Sequence, residues 1–177
     1  MLKEIPAELM PKFESLISQK VDGKLHYSSS PDRGLENILY LLPFIQEKVP
    51  NMKLHIDVYY GMHNLEQCNP ALAKSLKDLI KTAGEDVVNF KGRVGQKELA
   101  DNWKKAYVWF YPTWFSETHC ITANEAMLSA TPIVCSNEAA LQTTVGEYGT
   151  RIHGFAHSLE SRVASVDEMA RLLNDKE

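Results

Sequence analysis

The stretch AYVWFYPTWFSETHCITANEAMLSATPIVCS, residues 106–136, decides which fold the sequence predicts. It opens with a nearly unbroken apolar run, which is typical of a strand that is covered on both faces of a sheet. The small and apolar residues at 121–130 then predict a helix, and 131–136 predicts a second buried strand. Glu117 and Glu125 fall inside this unit with seven residues between them. A carboxylate in such surroundings is costly unless it has a partner, so both glutamates need a reason.

The same alternation of strand and helix extends over the rest of the chain. Further strands are predicted at 24–30, 52–61 and 86–92, and further helices at 34–49, 70–84, 96–106 and 165–177. Pro43 predicts a kink or a break, Gly84 a C-terminal cap and Ser165 an N-cap. Five strands that alternate with helices predict an α/β fold, a single Rossmann-like doubly wound, mostly parallel sheet with helices on both faces. Residues 1–22 are expected to form a helical appendage or linker, and 23–177 the domain itself.

Size and composition exclude several classes of protein. The 177 residues are 44% hydrophobic and 24% charged, as expected for one globular domain with a sizeable core. A net charge of −4 indicates no basic face for nucleic acid, and no apolar run reaches the roughly 18 residues of a membrane span. The start of the sequence lacks the apolar core of a signal peptide. Since Cys68, Cys120 and Cys135 form no C-x-x-C pair, we expect a cytoplasmic protein without disulfides or a zinc site.

Two polar loops follow predicted strands, SSSPDRG at 28–34 and TWFSETHC at 113–120. In doubly wound sheets, ligands bind beyond the carboxyl ends of the strands and near helix N-termini. If the strand order reverses between the strands that precede the two loops, the loops face each other across one crevice.

The side chains in and after these loops suit a phosphorylated sugar. Arg33, beside Gly34 at a helix start, suits a phosphate or diphosphate, although a solvated arginine after a Pro-Asp turn explains it equally well. The loop is neither a G-x-G-x-x-G nor a Walker A sequence. Glu117 is also compatible with a simple helix cap, whereas Glu125 lies among apolar residues where a cap is not needed. A ligand with hydroxyl groups would satisfy both carboxylates. His119 is either a surface residue or a ligand contact.

Three motifs occur in a fixed order around these residues. The segment 28–61 carries R-G at the start of its helix, 88–118 carries F-x-G-x-V before a strand that ends in proline, and 117–134 carries E-x7-E. Together, over roughly residues 24–154, they resemble the C-terminal half of retaining glycosyltransferases of the GT-B fold, group 1 (family 4). The E-x7-E spacing is weak evidence alone, but the order of the three motifs is fairly specific.

The resemblance implies roles for both glutamates. Glu117 would be the catalytic residue and would accept hydrogen bonds from hydroxyls of the donor sugar, and Glu125 would accept them from the ribose. The backbone amides of His119, Cys120 and Ile121 would line the donor sugar and the diphosphate. His119 and Cys120 stand where the family often reads F-G, which leaves the identity of the sugar open.

The resemblance also implies roles for the basic loops. Arg33 stands where the family usually has a lysine before the glycine at Gly34, and it would neutralise the leaving diphosphate. The loop at Gly92 and Arg93 would lie near the base. Family members commonly carry a second basic residue five positions before that lysine. Here that position is Ser28, so the diphosphate would meet one cation fewer.

The implied function is the transfer of a hexose from a nucleotide diphosphate sugar, UDP- or GDP-linked, to a saccharide, lipid or protein hydroxyl, with retention. It implies no metal and no other cofactor. In this family an N-terminal domain holds the acceptor, so we expect the 177 residues to fold alone but to transfer no sugar alone. A non-catalytic module of the same fold that binds a nucleotide or nucleotide sugar is the alternative. A flavodoxin-like or receiver-like signalling domain is disfavoured, because a receiver needs an acidic phosphoacceptor cluster where HYSSSPD offers serines.

Overall fold

The computed structural model describes residues 6–175. The helices are α1 (Met10–Ile17), α2 (Leu35–Lys48), α3 (Met62–Cys68), α4 (Pro70–Ala83), α5 (Gln96–Lys105), α6 (Ile121–Leu128), α7 (Leu141–Thr144) and α8 (Leu159–Asn174). The strands are β1 (Lys24–Tyr27), β2 (His55–Val58), β3 (Val88–Phe90), β4 (Trp109–Tyr111), β5 (Ile133–Ser136) and β6 (Thr150–Ile152). A short 3-10 turn, Pro31–Arg33, precedes α2.

The strands form two parallel three-stranded groups, β1-β2-β3 and β4-β5-β6. A parallel bridge between Leu25 and Val108 joins β1 to the chain just before β4. The strand order across both groups is therefore 3-2-1-4-5-6, and it reverses direction between β1 and β4. The prediction of a Rossmann-like parallel sheet is confirmed. At this reversal the loops after β1 and β4 diverge to opposite faces and leave a crevice between them.

Helices cover both faces of the sheet. Helix α2 packs against α4 and α8, whereas α5 packs against α6. Strands β1, β4 and β5 are buried along their whole length, as the apolar sequences of β4 and β5 predict. Tyr27, Trp109 and Tyr111 are among the largest fully buried side chains. The core therefore extends to the carboxyl ends of the two central strands, where it supports the loops that follow them.

Two helices differ from their predicted form. Helix α2 continues through Pro43, so of the kink or break expected there the break is absent, and the kink stays a prediction. Its buried residues Leu42 and Ile45 pack on both sides of the proline, and this burial offsets the hydrogen bond that proline cannot make. The closing helix begins at Leu159 rather than at 165. Ser158 caps it by accepting a hydrogen bond from the Ser161 amide at 3.2 Å, so the N-cap prediction for Ser165 is wrong.

Three short elements were not predicted from the sequence, whereas the longer helix α4 was. Helix α4 ends at Gly84, with φ at 107°, as predicted. Strand β6 is three residues long and helix α7 is four residues long, and both are too short for a periodic pattern. Helix α3 was also not predicted.

Helix α1 lies outside the core and buries none of its residues. Lys20, just after it, donates hydrogen bonds to the Ser129 carbonyl at 2.8 Å and to Thr131 Oγ1 at 2.7 Å. Burial lowers the pKa of Lys20 to about 8. The division into an appendage at 1–22 and a domain at 23–177 stays a prediction. Within residues 6–175, no helix has the length and apolar character needed to cross a membrane.

Candidate functional site

A cleft with a volume of about 520 Å³ opens at the carboxyl ends of β1 and β4. Its walls come from the loops after β1, β2, β3 and β4 and from the start of α6. The lining residues are Ser28, Ser29, Ser30, Arg33, Tyr59, Tyr60, Arg93, Glu117, Thr118, His119, Cys120, Ile121 and Thr122. The cleft lies at the reversal of strand order, where this class of sheet binds its ligands.

Arg33 and Glu117 meet in this cleft from loops far apart in sequence. Arg33 Nη1 lies 3.5 Å from Glu117 Oε1, and the guanidinium stacks over the Phe115 ring at 4.1 Å. The Arg33 side chain is 37% exposed, whereas that of Glu117 is 8% exposed. At 3.5 Å the hydrogen bond is long, and a guanidinium has five N–H donors, so Arg33 keeps donors for a ligand.

Tyr111 is the second partner of Glu117. Its hydroxyl donates a hydrogen bond to Glu117 Oε1 at 2.8 Å, and the tyrosine is fully buried. The sequence did not predict a role for this residue in the site. The available signal was its place as the last residue of β4, because a side chain there points towards the loop that carries Glu117.

Gly34 brings the two loops together. Its φ of 107° lies in the left-handed region, and an added Cβ would come within 3.1 Å of Thr113 Cα and 3.2 Å of the Pro112 oxygen. Nearby, Asn37 Nδ2 donates a hydrogen bond to that same oxygen at 2.8 Å. Glycine is therefore needed for contact with the loop after β4, rather than for a wall of the cleft. Gly92 also lies outside the lining residues.

The start of α6 forms one wall of the cleft. Cys120 caps the helix with φ at 62° and ψ at 74°, a left-handed conformation that a Cβ disfavours by about 1–2 kcal/mol. Thr144 Oγ1 donates to the His119 carbonyl at 2.6 Å, and the Ala140 amide donates to the Glu117 carbonyl at 3.1 Å. These bonds hold the strained turn in place. Burial raises the pKa of the Cys120 thiol to about 11, so the thiol is not a nucleophile at neutral pH.

The side chains of His119 and Arg93 are exposed at the rim. His119 Nε2 pairs with Asn124 Nδ2 at 3.0 Å. The Arg93 guanidinium carbon lies 5.7 Å from the centre of the Tyr60 ring. Arg93 adds a second cation to the cleft, from the loop after β3.

Glu125 is not brought into this cleft. It borders a separate cavity of about 190 Å³ with residues of α1, α5 and α6, and its Oε2 accepts a hydrogen bond from Trp103 Nε1 at 3.2 Å. Burial raises the pKa of its carboxyl, and the bond from Trp103 opposes that rise. Glu125 is therefore not among the residues that line the cleft, and its role as a contact of the ligand stays a prediction. Glu117 lies in a loop, whereas Glu125 lies on α6 and faces α5.

No group of three or more His, Cys, Asp or Glu side chains in residues 6–175 is arranged to hold a metal ion.

Known sequences similar to this chain are glycosyltransferases. The model of the family described as glycosyl transferases group 1 matches residues 28–177. D-inositol 3-phosphate glycosyltransferase from Streptomyces coelicolor is 35% identical over 80 residues, which cover 44% of this chain and 17% of that protein.

Solved structures share the fold at low sequence identity. The pneumococcal O-GlcNAc transferase GtfA, in complex with UDP and GlcNAc, matches 86% of this chain with a TM-score of 0.67 and 19% identity. HepE from Anabaena, in complex with UDP-glucose, matches 97% with a TM-score of 0.64 and 15% identity. This chain spans 29% and 44% of those two chains. It therefore belongs to the group 1 glycosyltransferases and has the fold of the C-terminal domain of a GT-B enzyme.

Proposed function

We propose that this chain is the donor-binding domain of a retaining glycosyltransferase. It binds a nucleotide diphosphate sugar, UDP- or GDP-linked, and together with an N-terminal acceptor domain transfers a hexose to a saccharide, lipid or protein hydroxyl. The observation that carries the proposal is the meeting of Arg33 and Glu117 at the strand reversal, in a chain of this family. The presence of UDP or UDP-glucose in structures of the same fold supports a nucleotide donor.

Arg33 is the proposed partner of the leaving diphosphate. Transfer builds negative charge on that group as the glycosidic bond breaks, so a preorganised cation at this place lowers the barrier. The amides at the start of α6 add donors with the positive end of the helix dipole behind them. Arg93 supplies further positive charge in a cleft where Ser28 supplies none. With these groups in place, the proposed reaction needs no metal ion.

Glu117 is the proposed acceptor for hydroxyls of the donor sugar. An ionised carboxylate is a strong acceptor with no donor of its own, which matches a sugar hydroxyl. In the unliganded cleft it neutralises Arg33. When a donor binds, the diphosphate pairs with Arg33 and a sugar hydroxyl donates a hydrogen bond to the carboxylate, so neither group is left without a partner.

Glu125 is the proposed contact of the ribose, despite its separate cavity. Ile121 lines the cleft and is 70% exposed, and Glu125 follows it by one turn on the same face of α6. A nucleotide that extends past Ile121 therefore reaches Glu125. Trp103 occupies Oε2, which leaves Oε1 for the ligand.

Titration calorimetry tests the donor site. We expect the chain to bind one of UDP-glucose, GDP-mannose and ADP-glucose, and to bind the corresponding diphosphate more tightly than the bare nucleoside, because Arg33 recognises phosphate. Equal affinity for the nucleoside and the diphosphate would mean that Arg33 does not contact the ligand. Absence of binding for all three sugars would overturn the proposal.

A transfer assay tests the dependence on a second domain. The open cleft leaves developing charge exposed to water, where each interaction is weaker, so the 177 residues alone should show no turnover with simple sugar acceptors. Robust turnover without a partner would contradict the two-domain requirement. Donor binding without transfer, even after fusion to a cognate N-terminal domain, would instead favour a non-catalytic binding module.

A further inference from the structure

Tyr111 is a buried residue beside the cleft, and the proposed function assigns it no role. Its ring stacks on Trp109 with the centroids 5.1 Å apart, and lies 6.1 Å from the Tyr27 ring. Its hydroxyl donates a hydrogen bond to Glu117 Oε1 at 2.8 Å. The position of the hydroxyl is therefore fixed by the core.

Glu117 depends on this hydroxyl for its orientation. Its contact with Arg33 is long, at 3.5 Å, and uses the same oxygen, Oε1. Within residues 6–175, neither Tyr111 nor Arg33 nor another side chain hydrogen-bonds Oε2. A single short bond from a rigid ring thus decides which carboxylate oxygen is engaged and which is left over.

We propose that Tyr111 is a positioning residue for the donor sugar, a role that rests on the proposed function of Glu117. By holding Oε1, it leaves Oε2 to accept a sugar hydroxyl and limits how closely the carboxylate can pair with Arg33. Tyr111 does not line the cleft, so it acts through Glu117 rather than on the donor.

The protonation of Tyr111 suits this role. Burial raises the pKa of its hydroxyl above the usual value, and the hydrogen bond to Glu117 adds to the rise. The hydroxyl therefore stays protonated, and so remains a donor, at the neutral pH at which binding is measured.

The role predicts an effect on the sugar alone. A nucleoside diphosphate has no hexose and therefore no hexose hydroxyl that could donate a hydrogen bond to Glu117 Oε2. A nucleotide sugar has several such hydroxyls. The diagnostic quantity is the ratio of the affinities for UDP-glucose and UDP, or for GDP-mannose and GDP if the wild type prefers guanine. A general loss of packing would weaken both ligands of a pair and leave the ratio unchanged.

The experiment compares Tyr111→Phe with the matched control Tyr27→Phe by titration calorimetry. Both remove one buried hydroxyl, but that of Tyr27 donates to the Ser30 carbonyl at 2.8 Å and does not contact Glu117. We expect Tyr111→Phe to lower the ratio by roughly three- to tenfold, the scale of one hydrogen bond, and Tyr27→Phe to leave it within about twofold.

A Glu117→Ala background tests whether the effect passes through the carboxylate. There Tyr111→Phe should change the ratio by less than about twofold, because nothing is left to position. An unchanged ratio for Tyr111→Phe in the wild-type background, or an equal loss in both backgrounds, would overturn the role of Tyr111 alone. Absence of binding by the wild type would overturn the proposed function, and the role of Tyr111 with it.

If Tyr111→Phe does not fold, the wild type answers the same question. The carbon-13 resonance of Tyr111 Cζ should shift when UDP-glucose (or GDP-mannose) is added, and shift less with UDP (or GDP). Identical shifts with both ligands of the pair would overturn the proposal.

Discussion

Glu117 and Glu125 belong to one sequence signature, yet their surroundings differ in nearly every respect. Glu117 lies in a loop and is buried between a tyrosine of β4 and an arginine that is 84 residues away in sequence. Glu125 lies on α6, is half-buried, and accepts one hydrogen bond from the indole of Trp103.

The difference shows that spacing does not set the role of a carboxylate. Seven intervening residues place one glutamate before a helix and the other within it, so they face different neighbours. A cation accompanies Glu117, whereas Glu125 has a neutral donor, and burial raises the pKa of Glu125. We therefore expect Glu117 to respond to charged and sugar groups of the ligand, and Glu125 to its nucleoside.

The largest expected effect concerns the cation beside Glu117. Arg33→Ala should weaken diphosphate binding by about 1.5–3 kcal/mol, the usual scale for a hydrogen bond to a charged group, with little change for the bare nucleoside. Titration calorimetry measures both. Arg171→Ala, which removes an exposed arginine paired with Glu168 on α8, is the control and should leave binding unchanged. Equal losses for nucleoside and diphosphate would contradict the contrast between the two glutamates.

The next effect concerns the donor beside Glu125. Trp103→Phe removes the indole N–H and leaves a gap beside His26, on which Trp103 stacks at 3.7 Å. Urea unfolding should show a loss of about 1–2 kcal/mol in the free energy of unfolding. Trp114→Phe is matched, since its exposed indole donates to Glu36 at 3.0 Å, and it should cost less than about 0.5 kcal/mol. Similar losses in the free energy of unfolding for the two variants would mean that burial does not strengthen the hydrogen bond between Trp103 and Glu125.

A smaller effect on binding distinguishes the two glutamates, because each is expected to contact a different part of the ligand. Glu125→Ala should weaken the nucleoside and the diphosphate alike, by about 1 kcal/mol, because its proposed partner is the ribose. Glu117→Ala should leave the nucleoside affinity unchanged. Calorimetry with uridine and UDP, or with guanosine and GDP, measures both. A loss confined to the diphosphate in Glu125→Ala would place Glu125 at the phosphates instead.

The smallest effect is a pH dependence. Burial raises the pKa of Glu125 in the folded state above its ordinary value of 4.5, so the contribution to stability is present below that value and is lost as pH rises through the raised pKa. Relative to Glu125→Gln, the wild type should therefore lose stability as the pH rises above 4.5. Because Glu125 is only partly buried, the change should stay below about 1 kcal/mol.

A matched carboxylate should give the opposite slope. The hydrogen bond from Arg171 lowers the pKa of Glu168, so wild type relative to Glu168→Gln should gain stability as pH rises over the acid range. Urea unfolding at several pH values measures both slopes. Parallel slopes for the two variants would contradict the assigned cause.

The sequence by itself determined the class of the fold and predicted the edge of the sheet at which the candidate site lies. Apolar runs at β4 and β5 and the amphipathic α4 with its Gly84 cap are local patterns, and they predict a parallel sheet without further information. Rules for such sheets then place the loops of Arg33 and Glu117 at one edge. The start of α8 was missed because Ser158 and Ser165 are both acceptable caps locally, and the choice depends on which residues the core buries.

Only the tertiary structure decided the partners of the two glutamates. Tyr111 reaches Glu117 because β4 ends beneath that loop, and Trp103 reaches Glu125 because α5 packs against α6. A pattern in the sequence records the periodicity of one element, whereas a hydrogen bond joins side chains of two elements. Its partners are therefore set by how strands and helices pack, and Glu125 pairs with Trp103 of α5 for that reason.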